Sequence, residues 1–511
     1  MIKIINNITV PLETTKEELV SVAIKKSNIP KNKITGYKIN RRSVDARRKN
    51  VQFNYSVSLF TENDNIATKE KTLKKGTKKL EGRPVIIGTG PAGLFCAYIL
   101  AKNGYKPLVY ERGKKVEERV KAINLLNQSG ILDTQTNIQF GEGGAGTFSD
   151  GKLTTRIDSE LCTEVLDIFT KFGAPDEIQY MAKAHIGTDI LREVIVNIRN
   201  EIIRLGGEIF FENTLEDIVI KNGKLDSIKV NNEYIDCKVL ILAIGHSARD
   251  TYYMLSNKEI FMEPKAFAVG VRIEHLQSYI DKTQYGNFAG HPLLGAADYS
   301  LKYNGPERSC FSFCMCPGGY VVGAMSEEDT VVTNGMSNHA RNGENSNSAL
   351  VVNVTQSDYN GILGGIEFQR RMEKAAFNKN HPYYAPVQNT EDFLNNKFSS
   401  TIKNPVPTYP IGYVETDLNG ILPPFVSNTL REALPYFDTK MKDYTKNSVI
   451  TGVETRTSAP VRITRSDNMQ SINVRGLYPI GEGAGYAGGI MSAAVDGIKA
   501  AEKIINEYAP F

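Results

Sequence analysis

The sequence predicts an α/β protein with a Rossmann-type domain in two pieces, a mixed α+β domain inserted between them and a small α/β domain in front. Two observations predict the Rossmann pieces: one strand–glycine loop–helix unit begins at residue 84, and a second begins at residue 477. A third observation predicts the insertion, because residues 261–445 carry β-type runs and a polar segment rich in Asn and Ser. A chain of 511 residues exceeds one compact core, so we expect roughly two to four domains.

The first domain is predicted to cover residues 1–80. Strands are expected at residues 2–10, 34–40 and 51–59, and a helix at 15–26 that is capped by Thr14 or Thr15. Residues 61–83 are lysine-rich and lack apolar periodicity, which is typical of a linker. A basic run is expected on a hairpin loop between the second and third strands, and it comprises Arg41, Arg42, Arg47, Arg48 and Lys49.

The remaining boundaries follow from changes of pattern along the chain. Residues 81–262 and 446–511 are predicted to form the two pieces of the Rossmann domain, and residues 263–445 the inserted domain. Predicted strands lie at residues 84–87, 106–110, 208–220, 224–230, 239–243, 267–273, 320–324, 348–354 and 477–480. Predicted helices lie at residues 91–102, 116–128, 189–205, 364–377 and 490–506, and a long loop at 333–347.

Composition narrows the class of protein. Hydrophobic residues make up 41% and charged residues 23%, as in globular proteins, and a net charge of +4 gives no reason to expect nucleic acid as a partner. No secretory leader is evident, and no run approaches the roughly 18 apolar residues that span a bilayer. The six cysteines show no CxxC pairing, so we expect free thiols in a cytoplasmic protein and no metal site. The oligomeric state is left open.

A glycine motif after the strand at residue 84 predicts a dinucleotide site. Gly88 permits a tight turn, Gly90 lets backbone amides approach a pyrophosphate, and Gly93 lets the helix pack on the sheet. The phosphates are then expected at the helix N-terminus. Glu111 ends the next strand, where its carboxylate can hold the adenosine ribose hydroxyls.

Two further glycine runs fit the same spacing in different contexts. Residues 141–146 precede a polar stretch, which favours a flexible backbone passing close to a ligand over an ordinary glycine loop. Residues 481–489 join a strand to the last helix, which favours a helix N-terminus aimed at a ligand over a turn that merely packs. One full fingerprint with a separate C-terminal glycine element indicates FAD rather than NAD as the bound nucleotide.

These motifs resemble a bacterial family of uncharacterised FAD-dependent, NAD(FAD)-utilising dehydrogenase-like flavoproteins. The resemblance rests on the first fingerprint together with residues 141–153, 242–250, 267–275, 313–319, 454–463 and 481–496, and it covers nearly the whole chain. It implies that FAD contacts Gly88, Gly90, Pro91, Ala92, Gly93, Glu111, Arg112, Gly143, Gly144, Ala145, Gly146, Lys152, Ala243, Gly245, His246, Gly481, Glu482, Gly488, Gly489 and Ile490. Related flavoproteins usually carry Asp in place of Glu482, whose carboxylate reaches one carbon further.

The candidates for chemistry are thiols and arginines. Cys314 and Cys316, with Cys310, are interpreted either as thiols acting on flavin or substrate, or as small buried hydrophobes on a strand. Arg456 and Arg462 precede the C-terminal glycine element and could bind an anionic substrate, although structural ion pairs are an equal alternative. Arg272, Glu274 and His275 are further candidates of the same kind.

Together these patterns predict a glutathione-reductase-like FAD domain with an inserted substrate domain. The leading hypothesis is a FAD-dependent oxidoreductase that acts on a small molecule in the cleft between them, with NAD(P)H as a transient reductant. A second hypothesis is a flavin-dependent RNA-modification enzyme that uses the basic N-terminal run. A third is a flavin-binding sensor that turns over nothing.

Overall fold

The computed structural model describes residues 2–47, 50–61, 72–402 and 404–510. Two parts of the sequence predictions lie outside these ranges: Arg48 and Lys49 of the basic run, and residues 62–71 of the linker. Among the described residues, no helix has the length and apolar character required to cross a bilayer.

The N-terminal domain is an antiparallel sheet of three strands covered by one helix. Its elements are β1 (Lys3–Val10), α1 (Lys16–Ser27), β2 (Ile34–Asp45) and β3 (Gln52–Thr61), with β3 in the centre of the sheet. Thr15 caps α1 and forms a reciprocal capping box with Glu18, which confirms the predicted helix start. Alternate residues of β3 are buried, so its period-2 pattern forms the core of this domain.

The predicted hairpin position of Arg41 and Arg42 is wrong, because β2 continues to Asp45 and includes both residues. The backbone of Arg42 pairs with Met181 of the next domain. Its guanidinium lies 5.8 Å from the ring centre of Tyr180. Arg42 therefore joins two domains instead of forming part of a solvated loop.

The second domain begins with strands and helices in alternation. Its elements up to residue 257 are β4 (Val85–Ile87), α2 (Pro91–Lys102), β5 (Leu108–Tyr110), α3 (Val116–Ser129), α4 (Leu161–Lys171), α5 (Thr188–Arg204), β6 (Glu208–Phe210), β7 (Leu215–Lys221), β8 (Lys224–Val230), β9 (Glu233–Asp236), β10 (Leu240–Leu242) and α6 (Arg249–Asn257). The predicted strand at 208–220 is two strands, since Glu212 takes a positive φ of 57° between them. β7, β8 and β9 form a separate antiparallel sheet.

The segment that follows has a different architecture, built on a mixed sheet of seven strands. Its elements are β11 (Met262–Pro264), β12 (Phe267–Leu276), α7 (Gln277–Tyr285), β13 (Lys302–Asn304), β14 (Ser309–Cys316), β15 (Tyr320–Gly323), β16 (Thr333–Met336), β17 (Asn345–Val354), α8 (Gly364–Ala375), β18 (Ala385–Asn389), α9 (Thr390–Leu394), β19 (Tyr413–Glu415), α10 (Pro424–Lys440) and β20 (Val449–Glu454). The sheet order is β13-β14-β17-β12-β20-β18-β19. The predicted loop at residues 333–347 is shorter in the structure, because β16 covers Thr333–Met336 and β17 begins at Asn345, which leaves residues 337–344 as the connection.

Residues 446–511 are predicted to form the C-terminal piece of the Rossmann domain. Its first strand, β20, instead pairs with β12 and β18 in the seven-stranded sheet. The chain then forms β21 (Val461–Ile463), β22 (Leu477–Pro479) and α11 (Ile490–Glu507). β22 joins the parallel sheet β22-β10-β4-β5-β6, next to strands more than 200 residues earlier in the chain. The carboxyl ends of β4, β10 and β22 therefore meet at one edge of the sheet, where ligands bind in open α/β folds.

Candidate functional site

One cavity of about 520 Å³ opens at this edge of the parallel sheet and reaches the seven-stranded sheet. All the predicted cofactor residues line it except Gly93 and Gly143. Of the four predicted catalytic residues, Cys314, Cys316 and Arg456 line it. Arg462 is not among the described residues of its wall. Most of the predicted site residues therefore line one cavity, although they lie hundreds of positions apart in the sequence.

The first glycine turn has the spacing that the motif demands. Gly88 takes a φ of +98°, and a Cβ there would lie 2.4 Å from the carbonyl oxygen of Ala243. A Cβ on Gly93 would lie 1.9 Å from the carbonyl oxygen of Gly88, so that glycine is needed for helix–strand packing. A Cβ on Gly90 would meet nothing closer than Gly144 Cα at 3.9 Å. Gly90 thus leaves open space in front of the N-terminus of α2.

The carboxylate of Glu111 lies on the cavity wall but is already occupied. Its two oxygens accept hydrogen bonds from the N–H and hydroxyl of Thr89 (2.9 and 2.8 Å) and from the N–H groups of Gly113 and Gly141 (3.0 Å each). A carboxylate has about four acceptor positions, and all four are used here. Glu111 therefore ties the second glycine loop to the first, a role beyond the ribose contact predicted from the sequence.

The second glycine loop, residues 141–146, is held by the buried side chain of Arg119. Its Nη1 donates hydrogen bonds to the carbonyl oxygens of Glu142 (2.7 Å) and Gly144 (2.8 Å), and its Nε and Nη2 bind the carbonyls of Asn137 and Ile138. The sequence analysis missed this residue. A signal was present, because Arg119 is a cation on the face of α3 that otherwise presents Val116, Ile123 and Leu126.

The third glycine loop, residues 481–489, is anchored to α11. Asp496 accepts hydrogen bonds from the N–H of Gly481 (2.7 Å) and from the guanidinium of Arg465 (2.6 and 2.9 Å). A Cβ on Gly488 or Gly489 would meet no atom within 4 Å. The loop therefore leaves the N-terminus of α11 open toward the cavity, as predicted for a helix start aimed at a ligand.

Glu482 of this loop faces His246, and both line the cavity. Glu482 Oε1 lies 3.5 Å from His246 Nδ1, while His246 Nε2 is buried and has no hydrogen-bond partner among the described residues. Burial raises the pKa of Glu482 to about 7. Burial, with the charges of Arg456 and Arg249, lowers the pKa of His246 to about 3, so this imidazole is neutral. The pair offers a bound molecule a neutral imidazole and a carboxyl group that titrates near neutral pH.

Cys314 is exposed, whereas the other five cysteines are buried or partly buried. It lies where the pairing of β14 with β17 shifts register. Its φ of +44° is uncommon for a residue other than glycine. Its carbonyl oxygen accepts hydrogen bonds from the completely buried guanidinium of Arg272 (3.3 and 3.4 Å). Cys316 is buried but Cys314 is exposed, so the interpretation as a buried hydrophobe on a strand fails for Cys314, and both residues line the cavity. Cys314 is exposed to the cavity, and partial removal from bulk water there raises the pKa of its thiol, as burial raises that of Cys316 to about 11.

For Arg456 the structure favours the alternative of a structural ion pair over a free anion-binding cation. The guanidinium of Arg456 is buried and donates to both carboxylate oxygens of Glu373 (3.1 and 3.0 Å). Arg249 donates to the same two oxygens at 2.8 Å, so one carboxylate holds two arginines. Arg462 lies in β21, 5.3 Å from the ring centre of Tyr486. Arg456 therefore has the structural ion pair that was the alternative weighed from the sequence, whereas Arg462 lies off the described cavity wall and its buried Nε has no hydrogen-bond partner among the described residues.

The residues of the cavity fit a dinucleotide with a further ring system. Gly90, Gly488 and Gly489 leave space that side chains would fill, and two helix N-termini open onto that space. His246 offers a buried ring nitrogen without a protein partner. The opposite wall carries Cys314, Glu454 and Thr457 from the segment of the seven-stranded sheet. A FAD molecule would have its phosphates at the glycine loops, and the remaining wall would be available to a substrate.

Three family models match parts of the chain. Residues 266–457 match "FAD-dependent protein, C-terminal domain-like", and residues 86–123 match an NAD(P)-binding Rossmann-like domain. Residues 1–60 match a domain of unknown function. The first of these matches includes β12 to β20, so the whole seven-stranded sheet lies within it.

Comparison with curated proteins finds a full-length relative. An uncharacterized protein of Clostridium beijerinckii is 49% identical over 99% of this chain and 98% of its own length. The thiamine thiazole synthase of Pyrococcus furiosus is 24% identical over 36% of this chain and 66% of its own length. Among solved structures, a geranylgeranyl bacteriochlorophyll reductase-like protein of Thermoplasma acidophilum is 13% identical, with a TM-score of 0.34 over 84% of this chain and 79% of that one.

Proposed function

Because this chain belongs to a bacterial family of uncharacterised FAD-dependent flavoproteins, we propose that it is a FAD-dependent oxidoreductase acting on a small molecule. NAD(P)H is proposed as a transient electron donor, which would bind at the open wall of the cavity because the sequence contains no second complete nucleotide motif. The glutathione-reductase-like arrangement of the two pieces around an inserted substrate domain is part of this proposal.

One observation carries the proposal: a single cavity is bounded by three glycine loops on one side and by the seven-stranded sheet on the other. A nucleotide placed along the glycine loops leaves the far wall uncovered. That wall contains titratable groups, among them Cys314 and Glu454. Burial raises the pKa of Glu454 to about 7, against the opposing charge of Arg272. Such groups are suited to binding a small substrate and to holding a proton near neutral pH.

The contributions of the chain itself would be binding and orientation. Gly88, Gly90 and the N-terminus of α2 would hold the pyrophosphate, and Gly488 and Gly489 would admit the remainder of the cofactor without steric clash. Arg119 and Asp496 would keep the second and third loops in place. When bound, FAD supplies hydride or electron transfer, chemistry that protein side chains alone do not provide.

The test is the visible absorption spectrum of the purified protein during anaerobic titration with NADH and then NADPH. We expect flavin bands that bleach with one of the two nucleotides. Bands that persist with both would remove NAD(P)H from the proposal and favour the non-catalytic sensor if other donors also fail. A colourless protein that does not take up added FAD would overturn the proposal.

The RNA-modification hypothesis receives no support from Arg42 and Arg47, two described residues of the basic run. Arg42 is engaged with Tyr180 and Met181, and Arg47 forms an ion pair with Asp45 at 2.7 Å. A phosphate-binding surface would need these side chains free. Strong RNA binding that weakens steeply with salt would be required to restore this hypothesis.

A further inference from the structure

We propose that Lys152 and Cys314 bound a subsite for a small anionic molecule, such as a carboxylate, at the inserted-sheet end of the cavity. The proposal rests on the proposed function, because it names the substrate class of the same cavity. It differs from the family resemblance, which places Lys152 against the cofactor.

The ammonium of Lys152 lacks an acceptor. Its Nζ is buried and makes no hydrogen bond with any described residue, although it lies 3.6 Å from Asp150 Oδ2. Leaving a charged group buried without hydrogen bonds costs several kcal/mol, so an acceptor is expected from elsewhere. Lys152 lines the cavity, and 27% of its side-chain surface is exposed. A rotation of this flexible side chain would bring the ammonium to an acceptor in the cavity.

Asp150 is shared between Lys152 and Arg341, so its single negative charge does not neutralise both cations. The guanidinium of Arg341 donates to both of its carboxylate oxygens (3.0 and 2.5 Å), and Ser337 donates a third hydrogen bond. These contacts, with the charge of Lys152, hold the pKa of Asp150 below its ordinary value at about 2, despite its burial. The carboxylate of Asp150 therefore lies beside two cations, Lys152 and Arg341, and these three side chains together carry a net positive charge.

The neighbouring charges do not cancel this excess. Glu454 lies 3.2 Å from Arg272 Nε and is the nearest carboxylate partner of that arginine. His185, whose backbone pairs with that of Lys152, has its pKa lowered to about 4 by burial and is neutral. The thiols of Cys314 and Cys316 are protonated at neutral pH, since removal from bulk water raises the pKa of each. An anionic ligand would supply the missing charge.

Cys314 places a reporter atom at this subsite. It lines the cavity beside Lys152, whose charge opposes the rise in pKa of the Cys314 thiol. The hydrogen bonds from Arg272 to the Cys314 carbonyl fix the bulge that exposes the side chain. Cys162 is a matched control, because it is partly exposed on α4 and is not among the described residues of the cavity wall.

The experiment compares alkylation of the flavin-loaded protein by iodoacetate, an anion, and iodoacetamide, its neutral analogue. Each reagent forms a carbon–sulfur bond as iodide leaves and the thiol proton passes to solvent. Mass spectrometry gives the iodoacetate-to-iodoacetamide rate ratio at each cysteine. We expect a ratio at Cys314 roughly tenfold above that at Cys162, as attraction by one nearby cation would produce.

Variants assign the effect to the lysine. Lys152→Gln should lower the ratio at Cys314 to that at Cys162, and Lys152→Arg should preserve it. Equal ratios at the two cysteines in the native protein would overturn the proposal. So would a raised ratio found only after FAD is removed, because the cofactor would then be the counter-ion of Lys152. The alkylation ratios do not depend on turnover. The anionic subsite can therefore be refuted while the absorption titration supports the proposed function, and the proposed function can be refuted while the alkylation ratios support the subsite.

Discussion

The guanidinium of Arg119 donates a 2.8 Å hydrogen bond to the carbonyl oxygen of Gly144. A Cβ on Gly144 would in turn lie 3.0 Å from the Cα of Gly90. One buried cation on α3 thus positions the second glycine loop against the first, and both loops line the proposed cofactor site. Substitution of Arg119 and of Gly90 tests this arrangement.

Arg119→Lys should lose flavin while the protein still folds. A lysine has donors at one point only and cannot reach carbonyls that extend from Asn137 to Gly144. We expect at least a tenfold weaker affinity for FAD and a destabilisation of roughly 3 kcal/mol, measured by flavin absorbance on titration and by urea unfolding. Arg192→Lys is the control. Like Arg119, Arg192 packs over the ring of Phe148, with its guanidinium 4.6 Å from the ring centre, but it binds none of these carbonyls. Unchanged affinity in Arg119→Lys would contradict the anchoring role.

Gly90→Val and Gly93→Ala should separate binding from folding. Gly90 has φ −65° and ψ 177°, which any residue adopts, and its missing side chain faces the cavity. Gly90→Val should abolish flavin retention and leave the melting temperature of the flavin-free protein within about 2 °C of the native value. Gly93→Ala should destabilise the flavin-free protein by more than about 2 kcal/mol, because its Cβ would lie 1.9 Å from Gly88 O. A folded, fully yellow Gly90→Val protein would refute the nucleotide assignment.

Arg456→Met should behave as a structural change. Burial alone would raise the pKa of Glu373, but the charges of Arg249 and Arg456 outweigh it and keep the pKa well below its ordinary value. Removing one arginine leaves the buried carboxylate with Arg249 and the hydroxyl of Thr455 as its partners, which should cost about 3 kcal/mol in urea unfolding. Arg462→Met removes a contact with Tyr486 and should cost less than about 1 kcal/mol. Equal effects of the two substitutions would contradict this distinction.

Glu482 should make the flavin-free protein less stable as the pH rises. Its folded pKa of about 7 exceeds the value in the unfolded chain, so the folded protein retains a proton that the unfolded chain has lost. The free energy of unfolding should therefore fall between about pH 4.5 and pH 7. We expect Glu482→Gln to reduce this loss by about 2 kcal/mol, measured as the difference in urea unfolding between pH 5 and pH 8.

The control for this pH dependence is Glu233→Gln on the exposed strand β9, which should leave the native profile unchanged. A Glu482→Gln profile that parallels the native one would show that Glu482 does not carry the retained proton. The other buried carboxyls, such as Glu454, would then account for the slope.

The sequence by itself determined the features that depend on neighbouring residues. The turn at Gly88, the packing of Gly93 and the cap at Thr15 are local requirements of backbone geometry, so a short motif predicts them. The full-length relative also confirms the family to which the motifs pointed. All but two of the predicted cofactor residues line one cavity because strand ends in a parallel sheet meet at one edge.

Only the tertiary structure decided which polar side chains are free and which are paired. Arg456 and its partner Glu373 are 83 positions apart, and Arg272 reaches the carbonyl of Cys314 across 42 positions. Nothing in the residues beside Arg456 distinguishes a ligand-binding cation from one half of a buried ion pair. That choice depends on burial and on the groups brought close by the packing of separate sheets, so it exists only in the folded chain.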